Sequence, residues 1–253
     1  ESDKPEYAIQ VVYNSEMGTI TVSDNGIGMT VEEIDEYINN IAYSGAMAFV
    51  EKYQEQGDSG NGVIGHFGLG FYSTFMVSQE VRVDSLSWQE GASPAFWISD
   101  TGMEYTMGEG DKTSRGTTIT LTLSEDAKED ITVYSLRETL RKYCQFMPYP
   151  IYFIDEVAEE KAKLEKEASD SEDETAGASQ PQPINNTSPS WLRDSKDITD
   201  EEYIAFYHES FQDFRDPLFW VHLNMDYPFS LKGILYFPRE DERLETLNGR
   251  IKV

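Results

Sequence analysis

Two glycine-rich segments carry the residue types best suited to chemistry in this chain. The first is Asp24-Asn25-Gly26-Ile27-Gly28-Met29, directly after the β-branched run ending at Ser23. A carboxylate at the end of a strand accepts hydrogen bonds, and neighbouring glycines let a flat ligand approach the backbone. Asp24 suits an exocyclic amine, and the Met29 thioether suits a ring face. The same residues also make an ordinary Asp-Asn-Gly turn, so both readings stand for this segment alone. The second is Gly65-His66-Phe67-Gly68-Leu69-Gly70-Phe71, which leads into an apolar stretch reaching Val77. Backbone N–H groups of glycines before a helix form an anion site, with His66 beside it. A hinge has the same composition. Neither segment is G-x-G-x-x-G or a phosphate loop ending in Lys-Ser/Thr.

The elements that must position these segments are readable from periodicity. Residues 8–13 and 18–23 alternate as strands around the polar turn Asn14-Ser15-Glu16-Met17. Val31, Ile34, Ile38, Ile41 and Ala42 share one face of a helix predicted over 31–53 and broken near Ser44-Gly45. Thr30 and Glu33 form its capping box. Residues 54–62 are a polar glycine-rich loop, and 63–77 reads as a loop feeding a short buried helix. Strands are predicted at 80–88, 94–99, 103–107 and 116–123, a helix at 130–146 ended by Pro148 and Pro150, and a strand at 151–153. The run from Asp155 to 185 is acidic, poor in aromatics and then rich in Ser, Gln and Pro, and is predicted to be a disordered linker. Thr199 and Glu202 cap a helix over 199–209, and strands follow at 218–225 and 231–237. The expected layout is therefore 1–154, a linker at 155–185, and the start of a second α/β unit at 186–253.

Composition removes several functions. Lys and Arg number 20 against 47 Asp and Glu, a net charge of −27 over 253 residues. Such a surface repels phosphate backbones and anionic lipid, so neither nucleic acid nor membrane is an expected partner. No apolar run reaches the roughly 18–20 residues of a membrane helix. The lone Cys144 forms no intrachain disulfide and fits a reducing, cytoplasmic setting; it reads as a small apolar helix residue. Three scattered histidines give little for a soft metal. Of these, His208 reads as a surface residue and His222 as a strand residue, while Trp191 and Trp220 read as packing. The chain begins at Glu1 and ends on the strand-like Arg250-Ile251-Lys252-Val253, and both ends are expected to be cut.

The order of Asp-x-Gly-x-Gly, capped helix, polar loop, Gly-x-x-Gly-x-Gly-Phe and the Arg115-Gly116-Thr117 strand resembles the ATP-binding domain of gyrase, histidine kinases, MutL and the 90-kDa heat-shock chaperones. Val22 to Thr30, Ile41-Ala42-Tyr43-Ser44-Gly45 and Ile64 to Ser73 resemble the chaperone branch, in its bacterial form. Asn186-Thr187-Ser188-Pro189-Ser190-Trp191, Asp200 to Tyr203, Asp216 to Trp220 and Gly233 to Pro238 resemble the start of that family's middle domain. The resemblance implies an α+β fold, a two-layer sandwich, followed by part of an α/β domain.

It also implies roles. The family's aspartate matching Asp24 holds the adenine amine, Gly28 and Met29 match residues against the base, and Thr117 matches a threonine at the adenine edge, partly through water. Ile38 joins this nucleotide-binding set. The backbone of Gly65, His66, Phe67, Gly68, Leu69, Gly70 and Phe71 matches the phosphate loop, and 37–62 the mobile lid. Tyr37 and Tyr43 stand where many relatives carry Asn or His and Lys. The family's general-base glutamate and magnesium-binding asparagine match no residue here. The implied function is an ATP-dependent chaperone using ATP/ADP with Mg²⁺, acting as a homodimeric clamp on partly folded clients. For the 253-residue chain the expectation is weak or no nucleotide binding and no hydrolysis. A non-hydrolysing binding module is the alternative reading; a topoisomerase or mismatch-repair ATPase is disfavoured by the charge and the residues after the linker.

Overall fold

The computed structural model describes residues 6–39, 70–100, 104–168, 182–225 and 231–239. It divides into two units, Glu1–Asn186 and Thr187–Val253. The first is built on a sheet of seven strands: β1 (Ile9–Asn14), β2 (Thr19–Asp24), β3 (Ser78–Leu86), β4 (Ala95–Ser99), β5 (Thr106–Glu109), β6 (Gly116–Leu123) and β7 (Ile151–Asp155). Their spatial order is β5-β4-β3-β6-β2-β1-β7. All neighbours are antiparallel except β1 and β7. The pairing that matters most for the site is β2 with β6 and β6 with β3. Sequence-distant strand ends at Asp24, Thr117 and Ser85 are thereby brought side by side.

Strand alternation puts one apolar face inward. Val11, Tyr13, Ile20, Val81, Val83, Trp97, Leu121, Leu123 and Ile151 are buried there. Helices α1 (Val31–Ile38), α2 (Glu125–Asp130) and α3 (Val133–Cys144) supply residues packed on that core, among them Ile34, Ala127, Leu136 and Leu140. The outward strand positions carry polar pairs such as Thr21–Thr120 and Arg82–Asp84. This is the two-layer α+β arrangement expected from the sequence.

Local chemistry sets the helix ends. Thr30 accepts from Glu33 N–H while the Glu33 carboxylate accepts from Thr30 N–H, the capping box read from sequence. The helix expected over 130–146 is present as Val133–Cys144, and a further short helix, Glu125–Asp130, precedes it. Ile131 is extended, its carbonyl takes the Tyr13 hydroxyl, and Thr132 caps the second helix. The turn after the second glycine segment is a 3₁₀ helix, Phe71–Met76, with none of its residues fully buried, rather than the buried helix expected. Its rings still anchor it, because Phe71 and Phe75 both meet Trp97 edge-on.

The stretch expected to be a disordered spacer, 155–185, differs most where it is described, at 155–168 and 182–185; residues 169–181 lie outside the described residues. Asp155 belongs to β7, and α4 (Glu156–Ala168) follows at once. The Asp155 carboxylate accepts from Ala158 N–H, Glu156 and Glu159 sit in the first turn, and Glu156 accepts from the Asn14 amide. Carboxylates favour a helix N-terminus, and Ala, Leu, Glu and Lys are good helix formers. The charge that marked a solvated spacer is thus also a helix signal. Residues 182–186 return to the sheet: Ile184 N–H donates to the Ile151 carbonyl. Asn185, buried, accepts from Ile151 N–H and donates to the Met147 and Tyr149 carbonyls.

In the second unit α5 (Asp200–Phe211) carries the capping box of Thr199 and Glu202. An antiparallel hairpin, β8 (Phe219–Met225) with β9 (Leu231–Phe237), joins it. Trp191 meets Phe206 edge-on and Trp220 stacks on Tyr203, the packing role expected. The Tyr203 hydroxyl is 2.7 Å from His222 Nδ1. Burial raises the Tyr236 hydroxyl, which donates to the Tyr203 carbonyl. The Arg215 guanidinium and N–H, with the Tyr207 hydroxyl, hold the Asp213 carboxyl down to about 2.

Candidate nucleotide site

Asp24 is the last residue of β2, with its side chain exposed at the strand end. Its Oδ1 accepts from Gly26 N–H at 2.7 Å and from Thr117 N–H at 3.4 Å. The first bond closes the turn on itself. The second ties the turn to β6. The carboxylate is thus aimed by two backbone donors on one oxygen, which leaves the other oxygen as an acceptor. Asn25 faces elsewhere. Its amide accepts from Ala8 N–H and donates to the Glu6 carbonyl, fastening the chain before β1.

Two glycines make the close approach. Gly28 has φ +62°, and a Cβ there would lie 1.9 Å from the Leu86 carbonyl oxygen. Gly116 has φ +117°, and its Cβ would lie 2.0 Å from the Asp24 carbonyl oxygen. Both positions require glycine, for conformation and for space. The end of β3 forms the floor of the turn: Trp88 N–H donates to the Ile27 carbonyl at 2.7 Å. Met29 N–H donates to Ser85 Oγ at 2.8 Å. Ser85 Oγ also lies 3.0 Å from Thr117 Oγ1.

The structure therefore brings Asp24, Gly28, Met29 and Thr117 together at adjoining ends of β2, β3 and β6. Met29 is half-buried with its side chain against the core, and Ile38 and Phe71 pack on that same core. The Ile38 carbonyl takes the hydroxyl of Tyr72, whose pKa burial raises. Phe71 gives its ring to Trp97. Gly70 is exposed, and its carbonyl accepts from Ser73 N–H and Oγ. Gly65, His66, Phe67, Gly68 and Leu69 lie outside the described residues, as does the expected lid from 40 onward. Among the described residues no cluster of His, Cys, Asp and Glu is arranged to hold a metal, and no helix is long and apolar enough to cross a membrane. Cys144 is half-buried and its thiol is pushed up by burial, which disfavours the thiolate.

Ser85 is the site residue that sequence reasoning missed. The signal was present but faint: Val81, Val83 and Ser85 share one face of β3, and a hydroxyl at the end of an inward apolar series needs buried partners. Arg115, by contrast, turns away from Thr117. It lies over the Tyr7 ring and donates to the Asn25 carbonyl.

What this geometry offers is a carboxylate acceptor, a hydroxyl, and bare backbone between them, which fits the amine-bearing edge of a purine. Comparison with known proteins identifies the family. Residues 3–134 match the family of Histidine kinase-, DNA gyrase B-, and HSP90-like ATPases. Residues 155–249 match the Hsp90 protein family. The chain is 43% identical over 235 residues to the chaperone protein HtpG of Bacteroides thetaiotaomicron, covering 93% of this chain and 32% of that protein. It is 41% identical to HtpG of Porphyromonas gingivalis, with the same coverage. It is 35% identical over 242 residues to HtpG of Bacillus velezensis, covering 93% of this chain and 37% of that protein. The chain thus spans about a third of the length of these curated relatives. With the ATPase match and the Hsp90 match following one another along it, the chain belongs to the Histidine kinase-, DNA gyrase B-, and HSP90-like ATPase family, in its Hsp90 branch.

Proposed function

We propose that this chain is the nucleotide-binding part, with the opening of the next domain, of an ATP-dependent molecular chaperone. The observation that carries the reading is the convergence of Asp24, Gly28 and Thr117 on one rim, with Asp24 aimed by Gly26 and Thr117 N–H groups. In this reading Asp24 accepts the adenine amine, Gly28 and Met29 border the base, and Thr117 meets the ring edge. Residues 65–71 cradle the phosphates with their backbone N–H groups, and Mg²⁺ supplies charge neutralisation across those phosphates. The layout is a nucleotide-binding domain to 154, a connecting region to 185, and a second domain from 186.

In the whole protein, ATP hydrolysis drives a homodimeric clamp in the cytoplasm that acts on unfolded or partly folded clients, not on nucleic acid or membrane. No residue of this chain matches the family's general-base glutamate or its magnesium-binding asparagine, and the 253-residue chain is expected to bind nucleotide weakly or not at all and to hydrolyse none. The experiment is a thermal shift of the chain with ADP and Mg²⁺, compared with Asp24→Asn. Replacing the acceptor by an amide that offers a donor costs a charge-assisted hydrogen bond, about 1.5–3 kcal/mol. The variant should lose whatever shift the parent shows. Equal shifts in both would count against Asp24 as the adenine anchor.

A further inference from the structure

Ser85 is 0% exposed. Its hydroxyl sits where three pieces of the candidate site meet. It accepts from Met29 N–H at 2.8 Å, lies 3.0 Å from Thr117 Oγ1, and lies 3.3 Å from the Gly116 carbonyl. A serine hydroxyl has one proton and two acceptor positions. Met29 N–H can only donate, so it takes one acceptor position. The one proton then goes to Thr117 Oγ1, which is nearer, or to the Gly116 carbonyl. When it goes to Thr117, the Thr117 proton is released to point away from Ser85.

We infer that Ser85 is a positioning residue of the adenine site, fixing the Met29 backbone and orienting the Thr117 hydroxyl as an outward donor. The inference rests on the reading of Asp24 and Thr117 as the groups that meet the base. Adenine presents an amine donor beside a ring-nitrogen acceptor. Asp24 accepts from the first, and an outward Thr117 hydroxyl donates to the second, directly or through one water. Guanine presents the reverse pair, a carbonyl towards the carboxylate and an N–H towards the hydroxyl proton. A buried serine that touches no ligand therefore takes part in choosing the base. A Thr117 hydroxyl turned back to donate to Ser85 would leave two acceptors facing the ligand and no partner for the ring nitrogen.

The test compares ADP with 1-deaza-ADP, which lacks the ring-nitrogen acceptor. Both are titrated by NMR, which reads weak binding, into the parent chain, Ser85→Ala, Ser85→Thr and Asp24→Asn. Ser85→Ala should weaken ADP about tenfold and 1-deaza-ADP less than about threefold, because only the first uses the oriented hydroxyl. Ser85→Thr, which keeps the hydroxyl, should bind both within about threefold of the parent. The inference is overturned if Ser85→Ala binds ADP like the parent, or weakens both ligands by the same factor, as a merely structural role would. If Ser85→Ala does not fold, Ser85→Cys, with its weaker donor, takes its place: a selective loss of ADP supports the inference, and an equal loss of both ligands or none overturns it. The two readings fail separately. Unchanged ADP binding by Asp24→Asn sinks the site assignment, whereas its loss there with intact binding by Ser85→Ala sinks the role of Ser85 alone.

Discussion

Gly28 and Gly91 both hold positive φ, at 62° and 80°, yet only one of them is hemmed in. A Cβ at Gly91 would meet nothing within 4 Å, while one at Gly28 would collide with the Leu86 carbonyl. The pair separates conformational strain from collision. Gly91→Ala should cost about 1 kcal/mol, the usual penalty of a left-handed residue. Gly28→Ala should cost at least about 3 kcal/mol, since either the turn or β3 must move. Urea unfolding of the two variants checks this, and similar losses would show that the Leu86 contact is soft. The turn itself was legible from Asp24, Gly26 and Gly28, because their types name what they can do. Its floor was not. Ser85 and Leu86 lie far from Gly28 in sequence, and only the register of β3 with β6 puts Ser85 opposite Thr117. Side-chain alternation gave each residue a face but no partner, so the hydroxyl cluster waited for the structure.

Strands and capped helices were the easiest elements to read. Thr30 with Glu33 and Thr199 with Glu202 give helix starts from two positions each, because the capping bonds are local. Residues 156–168 were not legible as a helix, because the same acidic residues mark both a solvated stretch and a helix N-terminus. The sheet edge shows the same limit. Asn185 is one polar residue in a Pro- and Asn-rich stretch, and nothing local says that it seals β7. Its carboxamide satisfies Ile151 N–H and two carbonyls at the end of α3's connection, with donor–acceptor distances of 2.8, 2.9 and 2.8 Å. Removing it leaves those groups without partners in a buried place, a loss larger than the net worth of the bonds. Asn185→Ala should destabilise the first unit by about 2–4 kcal/mol. Asn185→Asp, which keeps the acceptor but loses both donors, should recover little. Chemical denaturation followed through Trp97, buried in that unit, measures it, and a loss under about 0.5 kcal/mol would mean the segment 182–186 is not a staple.

At the scale of the whole molecule the balance of charge decides the conditions under which the site can be studied. The net charge is −27, with 47 carboxylates in 253 residues. Ion pairs among the described residues are few and mostly exposed, such as Lys128–Glu125 and Lys161–Glu16. Exposed pairs of this kind contribute about 0–1 kcal/mol each, so they do not offset the repulsion among the remaining acids. Repulsion of like charges acts over a Debye length, about 10 Å at 0.1 M salt and about 3 Å at 1 M. It opposes the compact state more than the expanded one. Adding salt should therefore stabilise the protein, although it weakens the exposed ion pairs. The midpoint of thermal unfolding should rise by several degrees from low salt to about 0.5 M NaCl, and KCl should act alike, since general screening does not depend on which monovalent cation is present. ADP and ATP are themselves anions and meet the same field, so their binding should strengthen over the same range. A calorimetric series with and without ADP measures both effects. A midpoint that falls with added salt would show that the ion pairs outweigh the excess of acids, and an ADP affinity that falls would show that the field at the site attracts anions.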